Sequence, residues 1–214
     1  MTKTRRPLFV ALAFVALLLV GSSVAPAPPE FGSSADAIRS YYREHQDAIA
    51  LQAWLVMASV LFGPVLVGYV ARILAPVERV WFIVTAVAGL SIVAVGMLFR
   101  VGLAAHPETA DPGAVALLSD VEAYWGPLAT LIFASQALAI VVAARAGSVP
   151  AWLGGLSLAF AIEQLAESAS IFGNSGFLAP GGDMNALVGP LFYAIWSVGL
   201  GVAAGRVADE EAPS

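Results

Sequence analysis

Apolar residues fill this chain in long blocks separated by short polar stretches. The blocks cover residues 8–27, 48–70, 80–104, 126–144, 151–172 and 186–205. A helix needs about 20 apolar residues to cross the roughly 30 Å hydrocarbon core of a bilayer, and each block meets or approaches that length. The pattern therefore predicts an all-α, polytopic membrane helix bundle of six transmembrane helices. It forms a single membrane domain over residues 1–214, with 206–214 as an acidic cytoplasmic tail. The first block has a second reading. The basic start "MTKTRR", the apolar run Leu8–Val20 and the small-residue stretch "SSVAPA" also describe a cleavable signal, which would leave five spans.

Between the blocks, two stretches carry a helical period. "SSADAIRSYYREHQDAI" opens with Ser33 and Asp36 at capping-box spacing, and Ile38, Tyr41 or Tyr42, His45 and Ile49 follow on one face. "DPGAVALLSDVEAYW" opens with Asp111 as N-cap and Pro112 at the first helical position, with Val115, Leu118, Val121 and Trp125 as its stripe. Both read as short outer interfacial helices able to continue into the next span. Gly63-Pro64 falls inside the second block, where proline removes a backbone hydrogen bond and kinks a helix. Ser197, Gly201 and Gly205 form a small-residue ladder on the last block. Such a ladder admits a second helix, either a membrane-protein partner or another copy of the chain.

Composition agrees with the pattern: 59% of residues are hydrophobic and 12% charged, where a soluble domain has about 25% charged residues. Mean hydropathy is +0.84. With the N-terminus inside, Lys3, Arg5, Arg6, Arg72, Arg79, Arg145 and Arg206 face the cytoplasm, against Arg39, Arg43 and Arg100 outside. That bias predicts a multi-pass plasma-membrane protein with cytoplasmic N- and C-termini. The outer loops are acidic, carrying Glu30, Asp36, Glu44, Asp47, Glu108, Asp111, Asp120, Glu122 and Asp183. No basic surface points to nucleic acid, so the lipid bilayer is the expected partner.

The exception to the apolar pattern is "AFAIEQLAESASIF" in the fifth block, with Glu163, Gln164 and Glu167. Gly155, Ala159, Glu163 and Glu167 recur at i, i+4 and so share a helix face. Each charge at bilayer centre costs about 2.5–3.5 kcal/mol on insertion scales, so the carboxylates call for a proton, a cation or a wet cavity. Arg100, at the outer end of the third block, is the expected cation for Glu167. Gln136, midway along the fourth, is the expected hydrogen-bond partner of Glu163. Gln52 at the head of the second block completes the polar set. The spacing thus predicts a polar cavity floored by Glu163 and Gln136 and rimmed by Arg100 and Glu167. Against it stands a purely structural polar network fixing helix register.

His45 and His106 are the only histidines and weak metal candidates. There is no HExxH, nucleophile elbow or Walker loop, and Lys3 is the only lysine. No catalytic residue and no cofactor are assigned. The stretches "ADAIRSYYREHQDAIALQAWL" (Ala35–Leu55) and "SVPAWLGGLSL" (Ser148–Leu158) resemble an uncharacterised, mainly actinobacterial family of six-helix membrane proteins of unknown function. The resemblance implies short inner loops and a first outer amphipathic segment, and no activity. Two readings follow. One is an integral plasma-membrane protein of structural or interaction role. The alternative is a proton- or cation-linked carrier, or a binder of a lipid headgroup or small molecule, using an outward-opening polar site on the fifth span.

Overall fold

A computed structural model describes residues 5–107 and 111–210. Lys3, Glu108 and the tail residues 211–214 lie outside the described residues. The described chain is all-α, with eight helices: α1 (Arg5–Val24), α2 (Ala35–Glu44), α3 (Gln46–Ser59), α4 (Gly63–Ala71), α5 (Pro76–Ala105), α6 (Pro112–Arg145), α7 (Ala151–Ser168) and α8 (Gly189–Glu210). Short turns at 72–75 and 146–150 join the helices at one end, and longer segments join them at the other.

Five helical segments are long and apolar enough to cross a membrane: Arg5–Val24, Gln46–Ala71, Pro76–Ala105, Pro112–Arg145 and Met184–Arg206. The fifth predicted span, α7, is not one of them, because Glu163, Gln164 and Glu167 lower its hydropathy. The outer surface of the bundle is nevertheless apolar. Trp54, Leu61, Val77, Leu98, Ile162 and Leu191 are each more than half exposed, far beyond the apolar patches that soluble monomers tolerate.

Local sequence explains the helix boundaries. The second predicted span breaks at Val60–Phe62, one turn ahead of Pro64, which then occupies a first-turn position of α4. Gly63 lies there against Leu90 of α5. Asp111 caps α6 as expected, its side chain accepting from Ala114 N at 3.1 Å. The helix then runs without a break through the predicted fourth span. At α2 the cap is Ser34 and not Ser33. The Ser34 hydroxyl accepts from Ala37 N at 3.3 Å, while Ser33 Oγ turns back to Glu30 O. The amphipathic reading of α2 holds, since Ile38, Tyr41, Tyr42 and Ile49 are buried together against Leu103 and Val115.

The main core joins α4, α5, α6, α7 and α8. Phe82, Ile140, Leu153, Phe160 and Trp196 are fully buried in it. Trp196 stacks on Phe160 at 4.7 Å and donates its indole N–H to Ser157 Oγ at 2.9 Å. Helix α1 packs against α3 and α8, burying Ala11, Phe14 and Val15. It occupies the small-residue ladder: a side chain at Gly201 would meet Ala11 Cβ and Pro7 O. At Gly201, therefore, the ladder receives a helix of the same chain.

Candidate functional site

The polar residues of α7 lie on its inward side. Glu163, Gln164 and Glu167 are buried, at 8%, 2% and 4% exposure, while Ile162 and Leu165 are half exposed or more. The row Gly155–Ala159–Glu163–Glu167 does not stay on one packing face. Four residues turn a helix by 400°, so such a row drifts by about 40° per step. Gly155 and Ala159 are exposed, and the close approach falls to Gly154, which faces Ala144 of α6.

The two carboxylates are tied by a single amide. Gln164 Nε2 donates to Glu163 Oε2 at 2.7 Å and to Glu167 Oε2 at 3.0 Å. Asn185 Nδ2 donates to Glu167 Oε1 at 2.8 Å. Asn185 is in turn held by Ser170 Oγ and Gly181 N, both donating to its Oδ1 at 3.2 Å. It sits on a one-turn π-helix, Met184–Val188, that opens α8. Such wide turns are rare and recur at functional sites. The Glu167 carboxylate fills the space a side chain at Gly189 would need. Glu163 Oε1 is buried and has no hydrogen-bond partner among the described residues.

Neither expected partner reaches this cluster. Arg100 pairs with Glu122 of α6 instead of Glu167, at 3.6 Å, and donates to Tyr41 Oη at 3.2 Å. Tyr42 donates its hydroxyl to the other Glu122 oxygen at 3.3 Å, and Tyr41 donates to Pro26 O at 2.7 Å. This second network seats α2 on the ends of α5 and α6. It also rotates the start of α6 relative to its expected stripe. Val115 points inward, but Leu118 and Val121 are exposed, because the face that turns in carries Glu122. Burial pushes the Tyr42 hydroxyl above its ordinary pKa, and neighbouring Glu122 adds to the effect. Gln136 is buried too, but it borders a small pocket of ≈ 20 Å³ with Phe14, Tyr193, Trp196 and Ser197. That volume accommodates about one water.

A far larger cavity, ≈ 820 Å³, occupies the end of the bundle away from the termini. It brings Gln52, Arg100, Gln164 and Glu167 together on one surface, joined by Glu122 and Asn185. Glu163 lies behind Glu167, outside the lining. Gln52 donates to Ser22 O at 3.4 Å, and its Oε1 has no partner among the described residues. Aromatic rings form the inner wall: Tyr193 packs on Phe133 at 5.2 Å and on Phe14 at 5.9 Å. Ligand sites are commonly cavities of about 300–1,000 Å³ with apolar walls and a few convergent polar groups. This cavity fits that description.

His45, at the junction of α2 and α3, packs on the Tyr41 ring, and His106 ends α5. Among the described residues no group of three or more His, Asp or Glu is placed to hold a metal ion. Asn185, Glu122 and the aromatic wall escaped the sequence reading. Glu122 lay on an apparently solvated outer helix, and nothing in "GGDMNALVG" signals a π-turn. Comparison with protein-family models, with curated proteins and with solved structures finds no match to this chain.

Proposed function

We propose that the chain crosses the plasma membrane six times with both termini in the cytoplasm, and that its large cavity is an outward-opening site that binds a small molecule or lipid headgroup. A carrier would load such a site from outside. The observation that carries this reading is the convergence of Gln52, Arg100, Gln164 and Glu167 on a single ≈ 820 Å³ cavity with aromatic walls. Helix α7 counts as the sixth span because its polar side is buried and its exposed side is Leu158, Ile162 and Leu165. Helix α1 counts as retained, because Ala11 belongs to the main core. The loop charges set the orientation, which turns the cavity outward.

The chain contains no cysteine, so single cysteines can be labelled in the otherwise native protein. A membrane-impermeant maleimide added to intact cells should label Ala37→Cys on α2 and Ala123→Cys at a partly exposed position of the cavity lining. It should spare Arg145→Cys until the cells are permeabilised. Ala123→Cys that reacts only after denaturation would remove the outward-opening site, and Arg145→Cys labelled in intact cells would reverse the topology. The structural or interaction role draws on a different observation, the chain of hydrogen bonds from Gln164 through Glu167 and Asn185 that ties α7 to the start of α8. That reading replaces the first if Ala123→Cys is silent and Glu167→Gln still loses stability.

A further inference from the structure

The charge of the cavity constrains what it accepts. Among the described residues its lining carries five carboxylates, Glu30, Asp120, Glu122, Glu167 and Asp183, and one guanidinium, Arg100. Arg100 is ion-paired with Glu122 at 3.6 Å, while its buried Nε has no hydrogen-bond partner among the described residues. The field in the cavity is therefore negative, and low-dielectric walls concentrate such a field. At the inner end, Glu167 shares the Gln164 amide with Glu163 behind it, and among the described residues no cation pairs with either carboxylate.

A further observation points to an absent positive partner. Gln52 Oε1 borders the cavity, is an acceptor on a side chain more than nine-tenths buried, and has no partner among the described residues. An orphaned buried acceptor is costly, and a cationic or N–H-bearing ligand would satisfy it.

Helix geometry places an aromatic surface next to the acid. Glu167 touches Gly189, and Tyr193 is four residues further along α8, on the same face and about 6 Å along its axis. The Tyr193 ring contacts Phe14, Phe133 and Phe160. A carboxylate at the edge of a ring cluster binds a cation by charge and by the quadrupole of the ring faces. Cavity size speaks against a bare metal ion, since ≈ 820 Å³ is room for a molecule.

We infer that the ligand is an amphipathic organic cation, with its charged centre at Glu167 and its apolar body on the wall formed by Phe133, Tyr193 and Phe14. This rests on the outward-opening site proposed above.

The test uses two ions of one shape and opposite charge, tetraphenylphosphonium and tetraphenylborate. Each is equilibrated with the full chain in zwitterionic lipid nanodiscs and with empty discs. The cation should bind saturably and protect Ala123→Cys from the maleimide, and the anion should match the empty discs. Glu167→Gln should weaken cation binding about tenfold or more, the scale expected for loss of a buried charge partner. Equal binding of the two ions by the unmutated chain overturns the inference, and that comparison needs no variant to fold. So does a Glu167→Gln protein that folds and binds as before. If neither ion binds while Ala123→Cys still labels from outside, the site stands and the ligand class falls. If Ala123→Cys does not label, the site itself fails.

Discussion

Arg100 offers a direct measurement of how the polar groups are paired. Depth along the spans assigns it to Glu167, whereas the fold assigns it to Glu122 at 3.6 Å, with side chains 13% and 14% exposed. At that distance, with an effective dielectric near 20, the attraction is about 4–5 kcal/mol before desolvation. Desolvation offsets part of it. Contacting charged residues show net couplings of about 0.5–3 kcal/mol, and removing one partner of a buried pair costs about 3–5 kcal/mol. Arg100→Gln and Glu122→Gln should therefore each destabilise the protein by about 3 kcal/mol or somewhat more, since each leaves a buried charge alone. The double variant should lose clearly less than the sum, with a coupling of about 1–3 kcal/mol. Reversible unfolding in mixed micelles with rising SDS, followed by tryptophan fluorescence, reads all four species. A second cycle with Glu167→Gln should be additive within about 0.5 kcal/mol. A larger coupling of Arg100 to Glu167 than to Glu122 would refute the arrangement and restore the assignment by depth.

Two further outcomes follow from the same geometry. Gly201→Leu should push α1 off α8, because the added side chain meets Ala11 and Pro7 O. Overpacking of this kind costs about 1–3 kcal/mol, and light scattering should show no change in oligomeric mass in the detergent-solubilised protein. Tyr42 gives a pH signature. Its folded pKa is raised above the ordinary 10.0, so the associated stability is full below pH 10 and lost as pH rises beyond it. The groups facing it are Glu122, Arg100 and Tyr41. Stability of the natural chain should fall above pH 10 more steeply than that of Tyr42→Phe, and parallel curves would contradict the buried placement of the hydroxyl.

Much of the helix layout was legible because it depends on short-range rules. Block length set the long helices, Asp111-Pro112 set the start of α6, and Pro64 set the break in the second block. The amphipathic stripe of α2 was legible because its apolar residues pack against other helices. On α6 the same reasoning failed at Leu118 and Val121. There an ion pair to Arg100, 22 residues away in sequence, decides which side turns inward. Gln136 and Glu163 lie at similar depth on neighbouring helices, but depth does not fix rotation about the helix axis. Gln136 borders the small pocket beside Trp196, and Gln164 takes the position between the carboxylates. Asn185 was invisible for another reason: a π-turn directs it, and no residue type announces one.

On the six-span reading proposed above, helix α7 shows why composition averaged around a helix misjudges it. Glu163, Gln164 and Glu167 remove it from the set of segments apolar enough to span, yet all three are buried and the outward positions Leu158, Ile162 and Leu165 are apolar. A span test averages over the circumference, whereas a bilayer meets only the outward arc. The inward arc answers to the interior, and here that interior is a cavity. Polar residues are expensive in a packed apolar core and tolerable beside a cavity large enough to admit water. The lowered hydropathy of α7 is thus a consequence of the cavity beside it. Filling the cavity should make the two of these residues that line it, Gln164 and Glu167, a liability. A bulky apolar residue at Ala123, a partly exposed position of the lining, should destabilise the natural chain more than a Glu167→Gln background, because only the former has a carboxylate that needs the space. Equal losses in the two backgrounds would separate the carboxylate from the cavity and leave it as scaffolding.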